Sequence, residues 1–159
     1  MAINQAIVVD QTAPGKLVIH DIAMPQPLPS EALVRVFAIS LNRGETRRSI
    51  QAEDGWRPGW DLAGVVEQAA ADGSGPALGE RVVGFLPDGA WAKHVAVPNH
   101  ALASLPDSVT FSQAATLPVA GLTALYALAK RGELLGRRVL ITGATGGVGD
   151  FAVQLAKLS

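Results

Sequence analysis

At 159 residues and 16.5 kDa the sequence is long enough for one packed domain, or for one domain and part of another, and too short for two complete ones. Hydrophobic residues make up 48% and charged residues 17%, which argues for a globular core and against disorder, and a net charge of −1 gives no electrostatic reason to expect nucleic acid as the main partner, because a duplex-binding face carries a marked basic excess. There is no Cys, so disulfides and thiolate metal ligands are excluded outright.

Met1 to Asp10 lacks a basic stretch followed by an apolar run and a small-residue cleavage site. Nor is there an apolar run of about 18 residues, so the expectation is a soluble, cytoplasmic protein without a membrane partner. From Asn4 to about Leu105 the pattern is that of short strands: Ala6–Val9, Leu17–Ile19, Ala32–Ser40, Leu62–Ala69, Arg81–Leu86 and Trp91–Val97. Turn signals separate them at Pro14-Gly15, at 72–76 and at Asp88-Gly89, which predicts a small barrel or sandwich. Three prolines between Met24 and Pro29 make that stretch an extended spacer.

After Leu105 the period lengthens. Thr110 and Gln113 have capping-box spacing, Pro118 interrupts, and Val119, Leu122, Leu125, Tyr126 and Ala129 form a helical stripe that stops at Gly132, so two short helical pieces are predicted. A compact strand, Arg138 to Thr142, leads into a glycine cluster and then a second amphipathic helix. Its apolar face is Val148, Phe151, Ala152 and Leu155, with Asp150, Gln154 and Lys157 opposite.

A glycine loop between strand and helix can cradle a diphosphate, because the first backbone N–H groups of the helix point outward and its dipole favours anions. Ala144, Gly146 and Gly149 have the dinucleotide-fingerprint spacing, with Ala in place of the first Gly, and the candidate loop runs through Thr145, Gly147 and Val148. The alternative is a plain turn. No Lys-Ser/Thr pair follows, so this is not a nucleoside-triphosphatase loop. Asp150 either favours the helix dipole or lies close enough to influence the diphosphate. The acidic or basic residue that would tell NAD from NADP belongs about 20 residues on, past Ser159.

Five ordered blocks, "EALVRVFAISLNRGE", "RPGWDLAGVVE", "GERVVGFLPDGAWAKHVAVP", "LPDSVTFSQAATLPVAGLTALYAL" and "VLITGATGGVG", resemble the medium-chain dehydrogenase/reductases, specifically their zinc-independent quinone oxidoreductase and zeta-crystallin branch. The resemblance implies a fold of mixed class, α+β passing into α/β: a GroES-like β-barrel over residues 1–108, then bridging helices and an incomplete Rossmann cofactor domain over 109–159. The implied activity is hydride transfer from NADP(H), with NAD(H) open, to a quinone or α,β-unsaturated carbonyl. An enoyl-thioester reductase and a non-catalytic GroES-like fragment are the alternatives. The chain is expected to be a truncated product, an engineered piece or a proteolytic remnant, inactive by itself. The parallel strand Val139–Thr142 and the helix Val148–Leu158 would then lack their cover, which predicts a homo-oligomer, strand exchange or marginal solubility.

Zinc alcohol dehydrogenases of that superfamily carry Cys and His-Glu where this sequence has Asn42 and Trp60-Asp61. The three histidines, His20, His94 and His100, form no close pair, so no metal is expected. Asn42 either donates its amide to the substrate, as its place in the resembled family implies, or caps a turn or helix before Gly44. Thr123 either lies by the nicotinamide, again by resemblance, or bonds its own helix backbone. Asp61 is a buried carboxylate orienting Arg or backbone groups at the cleft, or an ordinary strand-start residue. Trp56 and Trp60 either wall an aromatic pocket or pack, and Arg43, Arg47 and Arg48 with Glu45, Glu53 and Asp54 read as a solvated mixed-charge loop. Tyr126, the sole Tyr, has spacing that suits packing.

Overall fold

The computed structural model describes residues 3–159. Met1 and Ala2, which belong to the stretch read as leader-free, lie outside the described residues. β1 (Ile3–Val9) and β2 (Leu17–Ala23) form an antiparallel ribbon in register from Ile3↔Ala23 to Val9↔Leu17. The five-stranded antiparallel sheet comprises β3 (Glu31–Ile39), β4 (Asp61–Gln68), β5 (Arg81–Phe85), β6 (His94–Pro98) and β7 (Leu102–Ser104), in the order β6-β3-β4-β5-β7. Alternation along β3 puts Ala32 and Val34 inside with Leu62, Val66, Val82 and Val97, and the ribbon adds Ala6 and Val8 to the same core. Ribbon and sheet join where Ile7 N–H donates to Trp91 O and Lys93 N–H donates to Gln5 O, both at 2.8 Å. The strands predicted between Asn4 and Leu105 are all present. Only β7, three residues long, escaped the pattern.

The period change after Leu105 is real. Thr110 caps α2 (Phe111–Ala115): Gln113 N–H donates to Thr110 Oγ1 at 3.2 Å, and Thr110 N–H donates back to Gln113 Oε1 at 3.0 Å. Ala114 and Ala115 bury against Ala63 and Leu105, which fixes α2 on the sheet. Pro118, lacking an N–H, sits in the first turn of a π-helical segment, Leu117–Gly121, and α3 (Leu122–Ala129) continues from it. α4 (Gly147–Leu158) packs against α3 and the π turn. No helix among the described residues is long and apolar enough to cross a membrane.

Three expectations are corrected. Arg138 to Thr142 belongs to no ladder, and Leu140 is 90% exposed. A strand exists only through a partner, and here the neighbouring elements α3 and α4 are helices. The stripe on α3 is not packed: Leu122, Leu125 and Tyr126 are exposed, and the buried residue is Ala124. The mixed-charge loop is a helix, α1 (Arg43–Gln51), and its Glu45 is fully buried rather than solvated.

Candidate active site

Asp61 opens β4 opposite Phe85 and is wholly buried. Its Oδ2 accepts from Asn42 Nδ2 at 2.7 Å and its Oδ1 accepts from Val119 N–H at 2.9 Å. One carboxylate therefore ties the strand to the helix-capping loop on one side and to the π turn on the other. It orients a backbone group, as one reading expected, and no Arg. Burial pushes its pKa up, while the Asn42 amide and the Val119 N–H pull it back.

Asn42 is the extended N-cap of α1, with φ −108° and ψ 139°. Its backbone N–H donates to Glu45 Oε2 at 2.6 Å, and Glu45 Oε1 accepts from Trp60 N–H at 2.6 Å. Burial raises the Glu45 pKa as well, opposed by the Asn42 and Trp60 N–H groups and reinforced by the nearby Asp61 charge. Sequence reasoning missed Glu45. The signal was the Asn-x-x-Glu spacing, the same capping-box pattern recognised at Thr110.

Trp60 precedes Asp61 and lines a 660 Å³ cleft with Phe85, Val119, Leu122, Thr123, Tyr126 and Lys130. Thr123 is exposed in this cleft, and Tyr126, expected to pack, is 63% exposed there. Trp56 is not part of it. That ring lies elsewhere with Arg48 Cζ 4.8 Å from its centroid, so the two indoles do not wall one pocket.

The glycine loop borders a second, 1110 Å³ hollow lined by Ala124, Val139 to Gly143, Gly146 to Gly149 and Ala152. Gly146 is the N-cap of α4 and has no side-chain cap, and the first helical bond runs from Asp150 N–H to Gly146 O at 2.9 Å. The N–H groups of Gly147, Val148 and Gly149 precede it and have no intrahelical acceptor. A Cβ at Gly146 would meet only Gly143 O, at 3.4 Å, so the space above the loop is open. A Cβ at Gly149 would run into the Gly143 carbonyl and the Ala144 backbone, so this glycine lets helix and loop close. Ala144 and Thr145 form the turn before it. The Asp150 carboxylate accepts from Gln154 Nε2 at 2.8 Å, along its own helix.

The donor set does not fit zinc. Both oxygens of Glu45 and both of Asp61 already accept N–H groups, and Asn42 and Trp60 are not usual ligands. His94 Nε2 is bonded to Glu67 Oε2 at 3.0 Å, and Glu67 Oε1 meets Arg35 Nε at 2.7 Å. Among the described residues no three His, Cys, Asp or Glu side chains are grouped for a metal.

Residues 28–107 match the alcohol dehydrogenase GroES-like domain family. The chain belongs to that family, among the medium-chain dehydrogenase/reductases. The domain is 32% identical to a 2-methylene-furan-3-one reductase of Solanum lycopersicum over 86% of this chain and 39% of that protein. It is 35% identical to the chloroplastic quinone-oxidoreductase homolog of Spinacia oleracea (87% of this chain, 47% of that one) and to the trans-enoyl reductase tazE of Aspergillus terreus (90% and 55%). The quinone oxidoreductase of Coxiella burnetii superposes with a TM-score of 0.92 at 30% identity, covering 99% of this chain and 54% of that one. That of Thermus thermophilus, solved also in complex with NADPH, gives 0.77 at 31%, covering 96% and 50%. A cobalt- and zinc-bound alcohol dehydrogenase of Pyrobaculum aerophilum gives 0.88 at 26%, covering 99% and 57%. The domain thus spans about half the length of these solved relatives.

Proposed function

We propose that this chain carries the substrate-side half and the diphosphate loop of a zinc-independent, NAD(P)H-dependent oxidoreductase acting on quinones or α,β-unsaturated carbonyls, with the division between barrel and cofactor unit near residue 108. The observation that carries the reading is the open α4 N-terminus, whose three N–H groups at 147–149 lack acceptors beneath a space that no side chain fills. NADPH rather than NADH is favoured by the similar Thermus thermophilus enzyme, solved with NADPH. When bound, the cofactor supplies a hydride from its dihydronicotinamide ring.

Everything else falls to the chain. Gly147, Val148 and Gly149 bind the diphosphate through N–H groups and the positive end of the helix dipole. Asp61, acting only as an acceptor when ionised, holds the Asn42 amide with its nitrogen inward, and the second Nδ2 hydrogen remains to polarise a substrate carbonyl. Thr123 contributes a hydroxyl to the cleft that Trp60 lines. Without a metal, such donors supply the stabilisation of developing negative charge.

A second reading, reduction of an enoyl thioester, is favoured by Tyr126, whose phenol stands in the cleft where it would deliver a proton to the α-carbon after hydride reaches the β-carbon. Titration with NADPH tests the cofactor half of both. The folded chain is expected to bind saturably, and Gly146→Val, which fills the open space at an extended residue, is expected to abolish binding with the circular dichroism unchanged. A folded chain that ignores NADPH, or a Gly146→Val variant that binds as well as the parent, would overturn the proposal. Tyr126→Phe separates the readings in the full enzyme: it should slow thioester reduction selectively if the second holds.

A further inference from the structure

The strongest unexplained contact beside the cleft is between Gly44 and Trp60. Gly44 lies in the first turn of α1, where glycine is among the poorest residues for a helix. Its φ is not in the left-handed region, so the backbone does not require glycine there. What requires it is the indole: a Cβ at position 44 would stand 2.5 Å from Trp60 Cη2 and 3.1 Å from Cζ3. The benzo edge of Trp60 rests on bare α1 backbone, and the same side chain lines the 660 Å³ cleft.

We propose that Gly44 is a specificity-determining position: by letting the Trp60 indole lie back on α1 it opens the cleft to a planar, apolar carbonyl compound that stacks between Trp60 and the α3 face, in preference to a flexible acyl chain. This deepens the oxidoreductase reading above and rests on it. Two observations lead to a flat ring. The lining carries three aromatics, Trp60, Phe85 and Tyr126, alongside aliphatic Pro118, Val119, Leu122 and Ala127, and the aromatic rings offer flat faces for stacking. Polar groups in the lining are limited to Thr123, Lys130 and the polar tips of Tyr126 and Trp60, enough to orient one carbonyl. Any side chain at 44 must push the indole off its seat, and because Glu45 holds the Trp60 backbone by its N–H it is the ring that moves, which changes the wall it presents to the cleft.

The probe is 1,4-naphthoquinone, which has no thiol to alkylate in a chain without Cys. Its binding is followed by the three tryptophan indole N–H resonances, with Trp60 assigned through Trp60→Phe. The expected result is that naphthoquinone moves the Trp60 resonance and leaves those of Trp56 and Trp91 in place. Gly44→Ala should weaken binding by about tenfold, and the same change in a Trp60→Phe background by less than about twofold, since the smaller ring clears the new methyl. If Gly44→Ala does not fold, Trp60→Ala leaves α1 untouched and should itself cost about tenfold through lost stacking. A Gly44→Ala chain binding like the parent, a loss that persists in the Trp60→Phe background, or a chain that binds crotonyl-pantetheine and not naphthoquinone would each overturn the inference. The outcomes are separable from failure of the broader reading. A chain that binds NADPH and ignores naphthoquinone sinks this inference alone, and one that binds naphthoquinone and ignores NADPH sinks the oxidoreductase reading.

Discussion

Two buried carboxylates do most of the local organising. Glu45 and Asp61 each accept two N–H groups, and between them they fix the cap of α1, the approach to β4 and the π turn. Truncating Asp61→Ala leaves Val119 N–H and the Asn42 amide without their acceptor in a buried place, a loss of about 1–3 kcal/mol that denaturant unfolding would measure. Both carboxylates have folded pKa values above their ordinary ones, chiefly through burial. Between the ordinary and the raised pKa the folded state therefore holds the more protons, and their contribution to stability is full below the ordinary value and is lost as pH rises through the raised one. Asp61→Asn should flatten the fall in stability that begins at about pH 4 and runs upward, and an unaltered slope would contradict the assignment. Asp10, Asp72 and Glu80, exposed and held below their ordinary range by side-chain hydroxyl and backbone donors, act in the opposite sense, so the comparison is between variant and parent. At this scale the sequence pointed to Asn42 and Asp61 but not to their direct bond, because nothing in one dimension brings residues 42, 61 and 119 together.

Among the elements, those built on strong local signals were legible and those needing a distant partner were not. The Thr110–Gln113 box and the alternation in β3 act within a few residues, and both are present. The missed α1 had the same kind of signal, obscured because its exposed face is nearly all polar and shows no apolar stripe. The segment 138–142 shows the converse: its composition is that of a strand, yet pairing is a property of two segments, and no partner is present among the described residues. α4 depends on Gly149, whose Cα lies against the Gly143 carbonyl. Gly149→Ala should cost about 1–3 kcal/mol by forcing helix and loop apart, measurable as a lowered thermal midpoint, whereas Gly146→Val, a change at an N-cap with open space above it, should cost about 1 kcal/mol or less and lower the midpoint correspondingly less.

Across the molecule, the apolar surface is unevenly distributed. Leu135, Leu140 and Leu158 are each at least 71% exposed, and all lie in the last quarter of the chain with the unpaired segment 138–142. A surface of this kind seeks cover, and we propose that it promotes self-association through that segment. Leu140→Lys should shift the sedimentation profile towards monomer, and an unchanged distribution would remove that segment from consideration. The fold class itself was visible because many short strands with regular turns leave few architectures open, and the family match over residues 28–107 agrees. The central claim concerns the other end of the chain: that the start of α4 is shaped to hold a diphosphate. The direct measurement is the backbone amide spectrum during NADPH addition. The resonances of Gly147, Val148 and Gly149 should move together and saturate while those of the β1–β2 ribbon stay still, and a spectrum in which 147–149 remain fixed at saturating cofactor would contradict the account.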